Sequence, residues 1–315
     1  MDSPLILSEK QKEIIYSRFP TCIVEAKPGS GKTRLLVERL LHSLKTGGCR
    51  PEEIVAITFT TKAAAEIKER IKREMGALGF LAPLDQMWIS TIHGFCHRVL
   101  MEHPLEVGLS PGFSVLSAEE AYFLKEGMIT DGMRKLLKIR DESLFFLLGE
   151  YGFSRTREML SYLYEHRFDL ERARKRYALE SEAIVVSLLR LCDHLFSQYE
   201  AFKRSQSVCD FDDLLFFSLS LFKDPLICQR YQKRFKIFLV DEFQDTDGLQ
   251  KEVIHSLTGK GGPALMIVGD PRQSIYRFRG ARVEVFEETK KEILLGEGHC
   301  YEMVENFRSG KGIID

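Results

Sequence analysis

The sequence predicts an α/β fold, a doubly wound parallel sheet interrupted by an all-helical insertion. Three observations predict it. Five short apolar runs recur, and helical patterns follow the first three. A glycine-rich turn ending in Lys-Thr stands directly after the first run. Strand-like runs then disappear for a long middle stretch before returning. Runs that are apolar at almost every position suit strands buried on both faces, as in a parallel sheet covered by helices.

The elements follow in order. TCIVEA (21–26), EIVAITFT (53–60) and MWIST (87–91) read as strands, each trailed by a helical pattern: TRLLVERLLHSL, AAAEIKERIKREM and HGFCHRVLMEH. That alternation is the signature of a doubly wound sheet. From about 93 to 235 the chain is rich in Leu, Phe, Arg, Lys and Glu at helical spacing. AIVVSLLRLCDHLFSQYEAFKRS (183–205) reads as one long amphipathic helix, and DFDDLLFFSLSLF (210–222) as a nearly apolar one. IFLVDE (237–242) and ALMIVGD (264–270) bring the strands back, with GKGG (259–262) as a turn before the last. The expected organisation is a sheet domain over 1–92 and 236–298, with a helical insertion over 93–235. The last stretch, 299–315, is expected to begin another domain, because HCYEMVENFRSGKGIID opens a new strand-and-helix pattern.

Composition sets the class. Hydrophobic residues make up 44% and charged residues 29%, the balance of a globular chain with a sizeable core. No apolar run approaches the length of a membrane span, and the first residues lack a secretory pattern, so the expected location is cytoplasmic and no membrane partner is expected. The seven cysteines form no C-x-x-C pair, which argues for reduced thiols and against a zinc site. The net charge of −1 does not announce a nucleic-acid binder, so any such contact must come from local basic and aromatic groups.

Ala26-Lys27-Pro28-Gly29-Ser30-Gly31-Lys32-Thr33 follows a strand and opens a helix, the context a phosphate loop requires. Glycines let backbone N–H groups turn toward phosphate oxygens, and the helix N-terminus adds its partial positive charge. Lys32 is expected to reach the β/γ-phosphates of ATP, and the Thr33 hydroxyl to ligate Mg²⁺. The plainer reading is a glycine-rich turn; the ordered sequence strand, loop, Lys-Thr, helix disfavours it. A strand ending in Asp241-Glu242 is expected to place both carboxylates in the crevice beyond the sheet's carboxyl edge. Asp241 would hold Mg²⁺, mostly through water, and Glu242 would deprotonate the attacking water. Alone, that pair would read better as an acidic turn. The long gap between Lys32 and Asp241 is what the helical insertion explains.

VDEFQDTD (240–247) and VGDPRQSIYRFRGA (268–281) together resemble the UvrD/Rep branch of superfamily 1 helicases. The likeness runs through LSEKQ with Gln11, the phosphate loop, TFTTKAAAEIKERI (58–71), STIHGFC (90–96), DFDDLL (210–215) and ENFRS (305–309), in the family's order. It implies a RecA-like P-loop NTPase sheet. The wording of TIHGFC, DEFQDTD and GDPRQSIYRFRGA is nearest to the RecB and AddA-like members, which often end in a nuclease domain. By resemblance Gln11 reads adenine, Gln273 senses the γ-phosphate and Arg308 is an arginine finger. Phe307, where many relatives have Tyr, stacks on adenine. Arg34 and Arg279 are further candidates near the nucleotide and the coupling path. Without the motif order, Gln11 would read as a helix-surface residue and Phe307 as core.

A translocase needs stacking platforms for single strands. Phe59, Tyr276 and Phe278 lie after strands, at the sheet's carboxyl edge, and the resemblance puts Phe59 and Phe278 on the DNA side. Relatives often carry Trp where Phe278 stands. Thr60, Lys62, Thr91 and His93 are candidates for phosphate contact, with capping or packing as the alternative for His93. The basic runs at 172–177 and 230–236 read first as solvated faces. Asp210, Asp212 and Asp213 do not form a nuclease centre, and Asp210 is placed to cap a helix.

The resulting expectation is an ATP-dependent DNA helicase or translocase in repair or recombination, and the resemblance implies 3′→5′ polarity. Its substrates would be single-stranded DNA and junctions with duplex, and a nuclease domain or subunit is a candidate partner. The competing reading is a nucleotide-dependent DNA-binding subunit with little unwinding of its own; intact Lys32, Asp241, Glu242, Gln273 and Arg308 favour the motor. Another P-loop class, a kinase or GTPase, would lack the GDPRQSIYRFRGA block.

Overall fold

The computed structural model describes residues 7–17, 20–77, 84–167, 170, 182–259, 261–275 and 282–307. The chain divides into two compact units. One runs to His103 and resumes at Leu214; the other is Pro104–Asp213.

The first unit begins with α1 (Glu9–Ile15), β1 (Thr21–Ala26) and α2 (Lys32–Lys45). It continues through β2 (Ile54–Thr58), α3 (Thr61–Ala77), β3 (Trp88–Thr91) and α4 (Ile92–Glu102). The chain then enters the helical unit. There it forms β4 (Ser114–Val115), α5 (Ala118–Lys138), α6 (Glu142–Glu165), α7 (Ala183–Gln206) and β5 (Val208–Cys209). Helix α8 (Phe211–Phe222) carries the boundary, and α9 (Pro225–Arg234), β6 (Ile237–Val240), α10 (Gly248–Thr258), β7 (Ala264–Gly269), α11 (Val283–Leu295) and β8 (His299–Met303) follow.

Six strands form one sheet in the order β3-β2-β6-β7-β1-β8, with every pairing parallel. The five expected runs are all strands of this sheet, β1, β2, β3, β6 and β7. They are buried on both faces, β2 at every position, which is why their sequences run apolar instead of alternating. Leu35, Leu36 and Leu40 of α2 and Ile67 and Ile71 of α3 pack on one face, with Val24, Ala56, Leu239 and Val268. An aromatic cluster stands elsewhere in the unit: Trp88 contacts Phe95 and Phe235, and Phe95 contacts Phe238.

Two expectations change. His299–Met303 is the sixth strand, paired with β1 from Cys22↔His299 to Ala26↔Met303, so this stretch completes the first sheet instead of opening another domain. Its pattern looks new because an edge strand is buried less continuously than its neighbours. The compact helical unit is also shorter than the 93–235 stretch. Helix α4 packs on β3 and β2, and α9 on α10, so both belong to the sheet unit. Helical spacing alone cannot tell a helix that covers a sheet from one in a bundle.

The helical unit has a core of its own, with Ile129 and Met133 of α5, Leu144, Leu147 and Leu160 of α6, and Leu191 and Leu195 of α7. Helix α5 starts at a capping box in which Ser117 and Glu120 bond each other's backbone. Gly152, at φ 71°, breaks α6. The same unit holds a buried ionic cluster. Lys203, with its side chain 1% exposed, donates to Asp210 at 2.8 Å and to Asp213 at 2.6 Å. The backbones of Asp210 and Asp213 bond each other's carboxylates, so Asp210 does cap α8. Arg167 lies within 3.4 Å of Asp210 and 2.9 Å of Asp212.

Candidate nucleotide site

The turn between β1 and α2 takes its shape from glycine. Gly29 and Gly31 have φ of 76° and 85°, a region that side chains with a Cβ enter only at a cost. Gly31 also caps α2, and a Cβ there would lie 3.2 Å from the Gln11 amide nitrogen. Lys32 and Thr33 therefore open a helix whose N-terminal N–H groups face the loop, the arrangement that binds phosphate.

Gln11 is 2% exposed, so it is not a helix-surface residue. Its carbonyl accepts from the Ser8 backbone as half of a capping box, and its Nε2 donates to the Ser30 carbonyl at 3.3 Å. The end of β8 and the segment after it also bond the loop. The Lys27 backbone donates to the Met303 carbonyl at 3.0 Å, and the Phe307 backbone to the Gly29 carbonyl at 2.9 Å. Phe307 itself is 48% exposed, which is not the burial of a core residue.

Across the sheet, the Asp241 backbone bonds the Ile57 carbonyl, and Asp241 is buried at the end of β6. Burial, and then the negative charge of Glu242, push its carboxyl up to about 7, with the Lys32 ammonium opposing. Glu242 turns the chain with φ 50°. Lys32 Nζ donates to Glu242 Oε2 at 2.7 Å. Two residues that the sequence separates widely thus meet directly. Asp245 is likewise pushed up to about 6, by burial and then by Glu242. Gln273 donates to Asp270 at the end of β7 at 2.5 Å.

A cavity of about 50 Å³ lies beside this acidic pair, lined by Thr58, Phe59, Thr91, His93, Asp241 and Glu242, with Thr246 and Gln250 also on its wall. Three of the candidates for DNA contact therefore share a wall with the two carboxylates. Thr60 and Thr91 accept from Ala63 and Gly94 at 3.1 and 3.2 Å, so both hydroxyls cap helices where they stand. Lys62 is exposed, and Thr33 and Arg34 are half-buried. Tyr276, Phe278, Arg279, Arg308 and the basic run 172–177 lie outside the described residues. The run 230–236 is partly structural: Arg234 stacks over Trp88 and pairs with Glu102 at 2.8 Å.

The model of the UvrD/REP helicase N-terminal domain matches residues 7–293. The chain belongs to the UvrD/Rep helicase family. It is 34% identical to DNA helicase II of Haemophilus influenzae, over 98% of this chain and 39% of that protein. It is 31% identical to DNA helicase II of Escherichia coli, with the same coverage of each. The ATP-dependent DNA helicase PcrA of Leuconostoc citreum is 30% identical over 98% of this chain and 38% of its own length. The chain thus spans about two fifths of these UvrD/Rep relatives. Among the described residues no helix is long and apolar enough to cross a membrane.

Sequence reasoning missed two groups in this UvrD/Rep chain. Gln244 is a buried amide between the ends of β6 and β7, and nothing in its sequence neighbourhood reveals what it bonds. The Lys203 cluster was half visible in the three aspartates after residue 209; its cations come from other helices.

Proposed function

We propose that the intact protein is an ATP-driven motor that moves 3′→5′ on single-stranded DNA in repair or recombination. The observation that carries this reading is the shared cavity, where Asp241 and Glu242 meet Phe59, Thr91 and His93. A site that only hydrolyses nucleotide has no need of an aromatic ring and a helix N-terminus beside its acid pair.

The residues divide the work. Gln11 and Phe307 flank the phosphate loop, where an adenine would be read and stacked. Residues Ala26 to Gly31 cradle the phosphates, with Pro28 and Ser30 shaping the turn, and Lys32 turns from Glu242 to the β/γ-phosphates. Burial and then the Glu242 charge raise the Asp241 carboxyl, Lys32 and the Glu242 backbone N–H oppose the rise, and such a buried acid fits a divalent cation. Thr33 and Asp241 would hold Mg²⁺, which supplies charge neutralisation at the phosphates. Few protein ligands suffice for Mg²⁺, which keeps water and phosphate oxygens in its shell. Glu242 takes the proton of the attacking water as the bond to the γ-phosphorus forms and the bridging bond to ADP breaks. Gln273 and Arg308 answer to the γ-phosphate, and the strand runs over Phe59 and Phe278, with Thr60, Lys62 and Arg279 toward its backbone.

ATP turnover of the intact protein, measured with and without single-stranded DNA, tests this. Lys32→Ala should abolish the stimulated turnover; a variant as active as wild type would sink the assignment.

A further inference from the structure

Gln244 joins the ends of two strands that the proposed reaction uses. It is 2% exposed. Its Oε1 accepts the Asp270 backbone N–H at 2.9 Å, and its Nε2 donates to Glu242 Oε2 at 2.8 Å. Chemistry sets the orientation of the amide. Its partner on Asp270 is an N–H, so the oxygen must face that way and the NH₂ must face the carboxylate.

The chain of bonds continues. Asp270 accepts from the Gln273 side chain at 2.5 Å and from the Arg272 backbone at 3.1 Å. Glu242 is therefore tied through one amide to the end of β7 and to Gln273. The fit is close, since a Cβ on Gly269 would lie 2.6 Å from Gln244 Oε1. Lys32 and Gln244 bond the same oxygen of Glu242. When Lys32 turns to a phosphate, Gln244 keeps that oxygen in place.

We propose that Gln244 is a positioning residue for ATP hydrolysis. It holds the Glu242 carboxylate and makes its position depend on the end of β7, where Asp270 and Gln273 stand. This rests on the ATPase reading of the site. A group that aims a general base is felt in the chemical step and not in nucleotide binding.

The test uses the intact protein as wild type, Gln244→Met, Gln244→Glu and Gly269→Ala. ATP turnover at saturating single-stranded DNA is measured beside equilibrium binding of a non-hydrolysable ATP analogue. Gln244→Met should lower kcat by about 10- to 100-fold. Its KM and analogue affinity should stay within about threefold of wild type. Gln244→Glu keeps the acceptor for Asp270 but loses the donor to Glu242, so its kcat should fall as well. A Cβ at Gly269 would press on Gln244 Oε1 and on the Phe286 ring, so Gly269→Ala should act in the same direction, which keeps a readout if a buried Gln244 variant fails to fold. Undiminished kcat, or binding and turnover lost together, overturns the proposal. A wild type without ATP turnover overturns the motor reading and this one with it, whereas an active wild type with equally active variants overturns this one alone.

Discussion

Lys32 and Glu242 form a 2.7 Å ion pair in which the lysine side chain is 10% exposed and the glutamate 37%. The pair puts the proposed phosphate-binding cation and the proposed base within one reach. Replacing Glu242 by Gln keeps the shape and one acceptor oxygen but removes the carboxylate that takes the proton. The expected outcome is nucleotide binding close to wild type with turnover lower by about 100-fold or more, the scale of a general base. Binding of a fluorescent ATP analogue beside steady-state hydrolysis checks it. Residues such as Lys32 and Asp241 could be singled out in sequence because local order marks them: strand, glycine turn, Lys-Thr, helix, or an apolar strand running into two acids. Gln244 could not, because its partner Asp270 lies just past the end of β7, and the hydrogen bond exists only once β6 and β7 pair.

Among the elements, the helical unit carries its own electrostatic problem. Lys203 sits fully buried against Asp210 and Asp213. Removing one partner of a buried ionic group strands the others, at about 3–5 kcal/mol. Lys203→Met should destabilise the unit on that scale, read from urea unfolding. Burial, and then the charge of Asp210, push the Asp213 carboxyl up, to about 7. A carboxyl raised in the folded state binds its proton there and gives it up on unfolding, so its contribution to stability falls as pH rises from about 4 to about 7. Asp213→Asn carries no such loss. Its stability relative to wild type should therefore increase across that window and level off above it, as urea titrations at stepped pH would show. A flat difference would exclude the raised carboxyl. Helix α7 was legible from its apolar stripe; the cluster at its end was not, because Arg167 comes from a distant part of the chain and the burial of Lys203 depends on packing.

For the whole molecule, two units with separate cores lead to a separate expectation. Residues 104–213 bury Leu144, Leu160, Leu191 and Leu195 against one another. Produced alone, that segment should fold into a helical unit with a cooperative thermal transition, visible by circular dichroism. A non-cooperative melt would show that its core depends on the rest of the chain. The sequence by itself determined the fold class, the strand-to-helix alternation and the glycine-rich loop before α2, because these are written in local pattern: burial on both faces makes a strand continuously apolar, and a left-handed turn demands glycine. The tertiary structure alone decided that His299–Met303 joins the first sheet, that α4 packs on that sheet and α9 on α10, and that Glu242 meets Lys32, Gln244 and the cavity beside Phe59. Those outcomes depend on which strands become neighbours. Strand pairing is set by the summed packing of the whole sheet, and no single stretch of sequence holds that sum.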